Sequence, residues 1–496
     1  MAVILAALLL PLAGAGLSGL VAVRWRPLVT VATTTATLGA AVLIAQRVVD
    51  GGRTELLLGG PERALGVLVV DGLSSGMILL SATIALATAV FALLDRGSGG
   101  VRPSYWPLSS ALLTGLHGLF LAGDLFTAYL MLEFVAVTGA AMVAWGGSRQ
   151  QLVAGTRYFY AELLASVTFL VGAVLVWSAA GTVVIADLGG QLGDGVTGRL
   201  GLALITAGLL LKVPVVPLHF WLPAAHALAP SAVSPLLSAL VVKSAFVVLL
   251  RVWVSGVPQL ATPSFAQLLG ALGAVAVIWG GLTALRAQRV KELIAYSTVA
   301  QLGLLLVAVP MIVTGSAEAW IGGVLHAIAH ALPKAAVLLA VGLLARSLGG
   351  DTVDRFAGAA VHRPLATSVV GVAGLSLVGL PPTGGFVAKW HLIVASITTG
   401  QWWWAATIVI GSLLTAAYLA RLLQRCFMDP TVAADTLDPA DPADTVDTAV
   451  RVRVERRGTD IVAFGLASSG LLLGLYPNAV LGLLGVGAPL EVMAHG

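Results

Sequence analysis

The residues in this sequence that could do chemistry are ionisable side chains set inside otherwise apolar stretches. Glu133 interrupts Tyr129-Leu-Met-Leu-Glu-Phe-Val135, and Lys243 interrupts Leu240-Val-Val-Lys-Ser-Ala-Phe246. Lys212 opens Lys212-Val-Pro-Val-Val-Pro217, and Lys389 follows Pro382 by seven residues. His326, His330 and Lys334 succeed one another at four-residue spacing. Of the five lysines only Lys291 stands at the edge of an apolar run. A charged lysine at the centre of a bilayer costs at least ~2.5 kcal/mol, so four such placements are not accidental. In an apolar setting an ammonium gives up its proton more readily than in water, and an approaching carboxylate makes it hold on. A buried lysine with a movable counter-ion is therefore a proton switch.

Glu133 is the natural counter-ion of Lys212, with Arg157 placed to compete for the same carboxylate; the alternative is a purely structural tether between helices. Lys243 lies deep in its run, where reaching an interface by snorkelling is difficult. Each step from His326 to His330 to Lys334 turns about 40° and rises about 6 Å, which makes a polar stripe on one helix face. Two histidines so spaced could also bind a metal or simply pack between helices. However, no Glu follows the first His, no third ligand is evident, and a metal site is not expected. Lys389 lies two turns from Pro382 and could close a path on one side. His219, assigned near the outer mouth of its span, could couple Lys212 to Lys243 through water. Glu162 and His117 are buried polar residues whose spacing ties them to nothing, and a structural role is expected.

The elements that must hold these groups follow from composition. The 496 residues are 58% hydrophobic and 10% charged, with a mean hydropathy of +0.98, against about 25% charged in a soluble chain. Apolar runs long enough to cross about 30 Å of hydrocarbon occur at 2–23, 28–48, 71–95, 107–122, 123–146, 152–180, 199–222, 231–256, 264–285, 293–314, 318–348, 363–393, 402–428 and 459–486. The reading is an all-α polytopic membrane protein of about fourteen helices, forming one membrane domain over 1–496. The first run has no basic residue before it and is expected to stay as a helix. Cys426 is the only cysteine, so no intramolecular disulfide or cysteine-ligated cluster is expected, and no redox cofactor. Nothing suggests nucleic-acid binding.

With the N-terminus outside, eighteen Lys and Arg residues fall on the inner side and only Arg47, Arg53, Arg63, Arg199 and Arg251 on the outer. That asymmetry puts both termini on the outer side of the cell inner (plasma) membrane. Pro214 and Pro217 interrupt the seventh span, and Pro381 and Pro382 the twelfth. Each removes a backbone donor at membrane depth, which is tolerated only against protein or a watery cavity. The breaks are five helices apart, so spans 4–8 (107–256) and 9–13 (264–428) are expected to be inverted repeats. Spans 1–3 (1–106) precede them. An inner loop at 429–458, acidic and then basic, and a last span with a short tail (459–496) follow.

Several segments together resemble a known family. These are Asp71-Gly-Leu-Ser74, Pro217-Leu-His-Phe-Trp-Leu-Pro223, Ala229-Pro-Ser-Ala-Val-Ser234, Lys291-Glu-Leu-Ile-Ala-Tyr-Ser297 with Gln301 and Gly303, and Gly379-Leu-Pro-Pro-Thr-Gly-Gly-Phe386 with Lys389. Over roughly residues 70–425 the chain resembles the antiporter-like membrane subunits of complex I, of Mrp-type cation/proton antiporters and of membrane-bound hydrogenases. The resemblance implies fourteen helices with the seventh and twelfth broken, and proton translocation through Glu133, Lys212, Lys243, His326, His330, Lys334 and Lys389. It departs at Ala224, where many relatives carry an acid, and at Arg157, where they carry a helix 6 lysine. Arginine does not release its proton at accessible pH. The sequence stops shortly after its last span, so a long lateral helix is not expected.

The function expected is that of a proton-translocating subunit in a multi-subunit membrane complex, either a monovalent cation/proton antiporter or a redox-driven pump. Its partners would be other membrane subunits, protons and, in the antiporter case, sodium or potassium. The alternatives are a non-conducting structural subunit and a stand-alone secondary transporter. No catalytic redox site is expected in this chain.

Overall fold

The structure, a computed structural model, describes residues 1–59, 66–95, 101–145, 147–193, 195–429 and 457–488. Most of the 429–458 loop, with its basic stretch 451–456, lies outside the described residues, as do Arg63 and Arg96. The chain is helical almost throughout: α1 (Ala2–Leu20), α2 (Arg26–Gly51), α3 (Gly72–Leu94), α4 (Tyr105–Leu121), α5 (Leu125–Ala144) and α6 (Arg149–Ala180). Next come α7 in two pieces (Val196–Lys212 and Leu222–Leu228), α8 (Ser234–Gly256), α9 (Pro263–Arg286), α10 (Val290–Val313) and α11 (Ala317–Ser347). The remainder is α12 in two pieces (Pro364–Val378 and Gly384–Thr398), α13 (Trp402–Phe427), α14 (Arg457–Leu475) and the short α15 (Asn478–Gly485). Eleven of these helices are long and apolar enough to cross a membrane.

Helix starts are written in capping residues. Asp71 and Ser74 form a reciprocal capping box at α3, Ser148 and Gln151 another at α6, and Asp124 and Thr383 cap α5 and the second piece of α12. Each side chain takes a backbone N–H that the first turn would leave unpaired. Both expected breaks are present: α7 stops at Lys212 and resumes after Pro217, and α12 stops at Val378 and resumes after Pro382. At the second break Gly379 takes φ 87°, a left-handed cap that suits glycine. A Cβ on Gly385 would fall on the carbonyl oxygen of Ser376, so the two pieces approach there as only glycine permits.

The layering follows burial. α8 and α11 are enclosed along their whole apolar length and α10 nearly so, whereas α1, α2, α6, α13 and α14 turn large apolar side chains outward. The helices bearing Lys243, His326, His330 and Lys334 therefore form the centre. α9 and α10 touch backbone to backbone, since a Cβ at Gly273 would meet the Gly303 carbonyl oxygen at 2.5 Å. Small residues of this kind let helices pack closely where no hydrophobic force drives them together. On one face, four ion pairs tie the loops together: Arg289–Asp351, Arg346–Asp95, Arg425–Asp354 and Arg363–Asp460.

Two features differ from expectation. The segment after α2, expected to be a loop, pairs two strands, β1 (Thr54–Leu58) against β2 (Gly66–Val70), antiparallel with Thr54 opposite Val70. β2 is fully buried over the ends of α4 and α5. Arg251, counted among the outer-side cations, is 5% exposed near the end of α8. Its guanidinium grips the Asp71 carboxylate with two bonds of 2.9 and 3.0 Å and donates to the Phe120 carbonyl at 3.2 Å. A fork matched to a carboxylate can be satisfied inside protein, which is how the arginine comes to leave water. Removing one partner of such a pair leaves the other charge stranded, at a cost of about 3–5 kcal/mol. Arg251→Met is therefore expected to lower thermal stability strongly, and Asp71→Leu/Arg251→Met to recover much of the loss. If the double variant melts no higher than Arg251→Met, the pair is not what holds α3 to α8.

Candidate functional site

Each buried lysine is held by oxygen atoms that the helices supply. Lys243 lies just past a wide π-helical stretch, Leu237–Val241, and its Nζ donates to the Ala239 carbonyl at 2.9 Å and to that of Ser238 at 3.4 Å. Lys334 donates to the Ile294 carbonyl of α10 at 2.7 Å and to the Ser297 hydroxyl. Lys389 reaches back across the α12 break to the carbonyls of Leu377 and Val378, at 3.1 and 2.7 Å, and to Ser412 Oγ of α13 at 3.0 Å. Those carbonyls end the first piece of the helix, where the helix dipole also favours a cation.

At the α7 break the freed carbonyl of Leu211 is taken by Trp221 Nε1 at 3.0 Å. Lys212 is thereby left to find another partner, and it is not the one expected. Its Nζ lies 2.5 Å from Glu162 Oε2 and 3.3 Å from the Glu162 carbonyl, in a pair about 4% exposed on each side. The expected Glu133–Lys212 ion pair is absent. Glu133 sits half-buried on α5, with Oε1 enclosed and without a hydrogen-bond partner, close enough for its charge to act on Glu162. Arg157 is exposed on α6 and does not compete for the carboxylate.

Reading spacing within one helix could not find Glu162, but depth could. It is the fourteenth residue of α6 and Glu133 the ninth of α5, and counting 1.5 Å per residue from opposite ends puts both carboxylates at about the same level. His117, by contrast, is structural as expected: Nδ1 bonds the Ala7 carbonyl at 2.8 Å and Nε2 the Ser81 hydroxyl at 3.0 Å, joining α1, α3 and α4.

The remaining groups form a second assembly. The rings of His326 and His330 stack at 6.0 Å. Lys243 is close enough for its charge to act on both, and on Lys334 and His226; Lys389 acts on both histidines from the other side. The histidine rings are not fully hydrogen-bonded, because His326 and Nε2 of His330 are buried with ring nitrogens that lack a close partner. Buried polar atoms in that state call for water.

His226, not singled out in the sequence, is in the same state at both nitrogens and packs edge-on to Trp221 at 6.4 Å. It stands between the Lys212 cluster and Lys243. His219 is half-buried beside Tyr296, 6.4 Å between ring centres, with Nδ1 unpartnered. It lies past the break toward Leu228, at the end of α7 where Lys291 donates to the Ala229 carbonyl. A cavity of about 400 Å³ opens on that side, lined by Asp95, Tyr105, Ala229, Lys291 and Arg346 among others.

A charged axis held by broken and widened helices, enclosed by apolar spans, defines a polytopic membrane protein built to keep ionisable groups away from lipid. The chain belongs to the NADH:quinone oxidoreductase/Mrp antiporter membrane family, whose description it matches over residues 122–415. It is 32% identical over 396 residues to NADH-quinone oxidoreductase subunit N of Desulforudis audaxviator, covering 78% of each chain. It is 27% identical over 392 residues to a Na(+)/H(+) antiporter subunit of Bacillus subtilis, again 78% of each. Among solved structures it superposes on a chain of the Mrp complex from Dietzia sp. with a TM-score of 0.86 and 25% identity, over 98% of this chain and 96% of that one.

The Lys389 site yields a graded expectation. Lys389→Leu strands two carbonyls and should cost about 1–3 kcal/mol for each unsatisfied group, whereas Ser412→Ala removes one of three acceptors and should cost about 1 kcal/mol. Thermal denaturation of the purified complex compares them; equal losses would show that Lys389 does not hold the break.

Proposed function

We propose that this chain is a proton-translocating subunit of a multi-subunit membrane complex, with its axis as the path. The observation that carries this reading is the second assembly: Lys243, His226, His326, His330, Lys334 and Lys389 are all buried, the lysine charges act on the imidazoles, and five of the ring nitrogens have no hydrogen-bond partner. Imidazole accepts on one nitrogen and donates from the other, so alternating it with lysine and water gives a chain along which a proton can be passed. Protons enter from the cavity on the cation-rich side, with His219 near that route, pass the Lys212 cluster to Lys243 and the α11 stripe, and leave beyond Lys389.

The kinship to both a quinone oxidoreductase subunit and an antiporter subunit supports a driving unit outside this chain, with sodium or potassium as the counter-cargo where the complex is an antiporter. On this reading the chain has fourteen spans, α4–α8 and α9–α13 are inverted repeats about the two breaks, both termini lie on the outer side of the plasma membrane, and the partners are neighbouring membrane subunits. In the assembled complex in sealed vesicles, Lys243→Ala and Lys389→Met are each expected to reduce proton transport at least tenfold while assembly persists. Undiminished acidification, read with a pH-sensitive dye, would instead support a non-conducting structural subunit.

A further inference from the structure

The four-residue rhythm of α11 does not begin at His326. Counting back from Lys334, His330 and His326, the next two positions are Gly322 and Glu318. Glu318 is the second residue of α11, at the end opposite Arg346 and the cavity beside it. Its carboxylate shares a hydrogen bond with Nδ1 of His391, on the second piece of α12. The His391 and Glu318 side chains are 20% and 45% exposed, so the pair reaches the surroundings, whereas His326 is enclosed. Glycine at 322 lets the imidazole in, as a Cβ there would lie 3.0 Å from the His391 Cβ and 2.9 Å from Leu392 Cγ. Cβ positions four apart on a helix are about 6 Å from one another, which puts the Cβ atoms of His391 and His326 within about 9 Å. The Cα–Cβ bonds of a helix tilt toward its N-terminus, and this sets His326 toward His391. His326 has ring nitrogens that lack a close partner, and one water fills a gap of that size between two imidazoles. Among the described residues, Arg363, Arg421, Asp460 and Lys291, on the other elements packed against this piece of α12, lie toward the opposite ends of their helices. Lys389, two residues before His391, is turned the other way, to the break and to Ser412.

We propose that His391 and Glu318 form the proton-release site of the axis, opening at the end of α11 opposite the cavity. The assignment rests on the reading of the axis as a proton path. Imidazole takes a proton on one nitrogen and gives one from the other. A proton leaving His326 through the water breaks an N–H bond there and forms one on His391 Nε2, giving an imidazolium paired with the Glu318 carboxylate. The Nδ1–H bond then breaks, an O–H bond forms on Glu318, and water outside takes that proton and restores the carboxylate. Exchange of the remaining N–H with water returns the ring to its first tautomer. Lys389 is close enough for its charge to act on His326, and one cation repels another, so a charged Lys389 drives the proton from His326 toward this pair.

The test uses the intact complex in sealed vesicles, with transport read by a pH-sensitive dye and stability by thermal denaturation. His391→Gln keeps a donor for Glu318, and Glu318→Gln keeps a polar partner for His391, but neither amide titrates. Each variant is expected to slow transport about tenfold, with an unchanged melting temperature and a flattened dependence on the pH of the medium facing Glu318. The double variant should be no slower than the slower single one, and Glu318→Asp should recover much of the rate. A wild-type rate and pH profile in His391→Gln, or a loss of rate matched by a loss of melting temperature in both variants, overturns the release site and leaves the pair a clamp between α11 and α12. Lys389→Met separates the two readings. If it is inactive while His391→Gln is normal, only the release site fails; if it too transports at the wild-type rate, the path itself fails.

Discussion

An ammonium group enclosed in a bilayer has to be given oxygen, and a regular helix has none to spare because its carbonyls are already bonded along the axis. Much of this architecture can be traced to that shortage. The α12 break frees two carbonyls for Lys389, the π-helical stretch of α8 opens two for Lys243, and α10 lends a carbonyl and a hydroxyl to Lys334. Lys212 is the exception. The carbonyl its own break frees goes to Trp221, so it turns to a side-chain carboxylate. Three of the four lysines are thus held by fixed dipoles, and one by a group that can itself change charge.

That difference divides the axis into two parts. At Lys243 and Lys389 the lysine is the only titratable member of its hydrogen-bonded group, whereas the Lys212 pair has two. Between the two lies His226, whose nitrogens have no protein partner and whose neighbour Trp221 also seals the cluster. A movement of the second piece of α7 would therefore act on both assemblies together.

Much of the fold was legible in the sequence because lipid imposes a coarse rule: apolar runs, prolines at depth and a lopsided distribution of cations. The burial of the lysines was legible for the same reason, since a charge set in an apolar run must be given partners inside the protein. What could not be read was pairing between helices. Glu133 looked like the partner of Lys212 because both stood in apolar runs, but which of two carboxylates an ammonium meets depends on helix rotation and depth. The burial of Arg251 could not be read either, as a fork that binds a capping aspartate can enter protein, whereas a count of cations on each side assumes that it stays in water. The strand pair was hidden because five residues of alternating exposure in β1 carry little signal beside twenty-residue apolar helices.

From helix to helix, the groups of the axis stand near the middles of their spans and side by side across the protein; only the α11 stripe, from His326 to Lys334, climbs along a helix, by about 12 Å. Charge passed from one helix to the next along such a row would travel parallel to the plane of the bilayer, and the membrane voltage would do no work on that part of its path. A full crossing of one charge is worth about 2.3 kcal/mol per 100 mV, so that work would fall on the α11 climb and on the vertical legs at either end of the row. The steps between helices would then be electrically silent, free to respond to the charge state of a neighbouring subunit without being biased by the membrane potential.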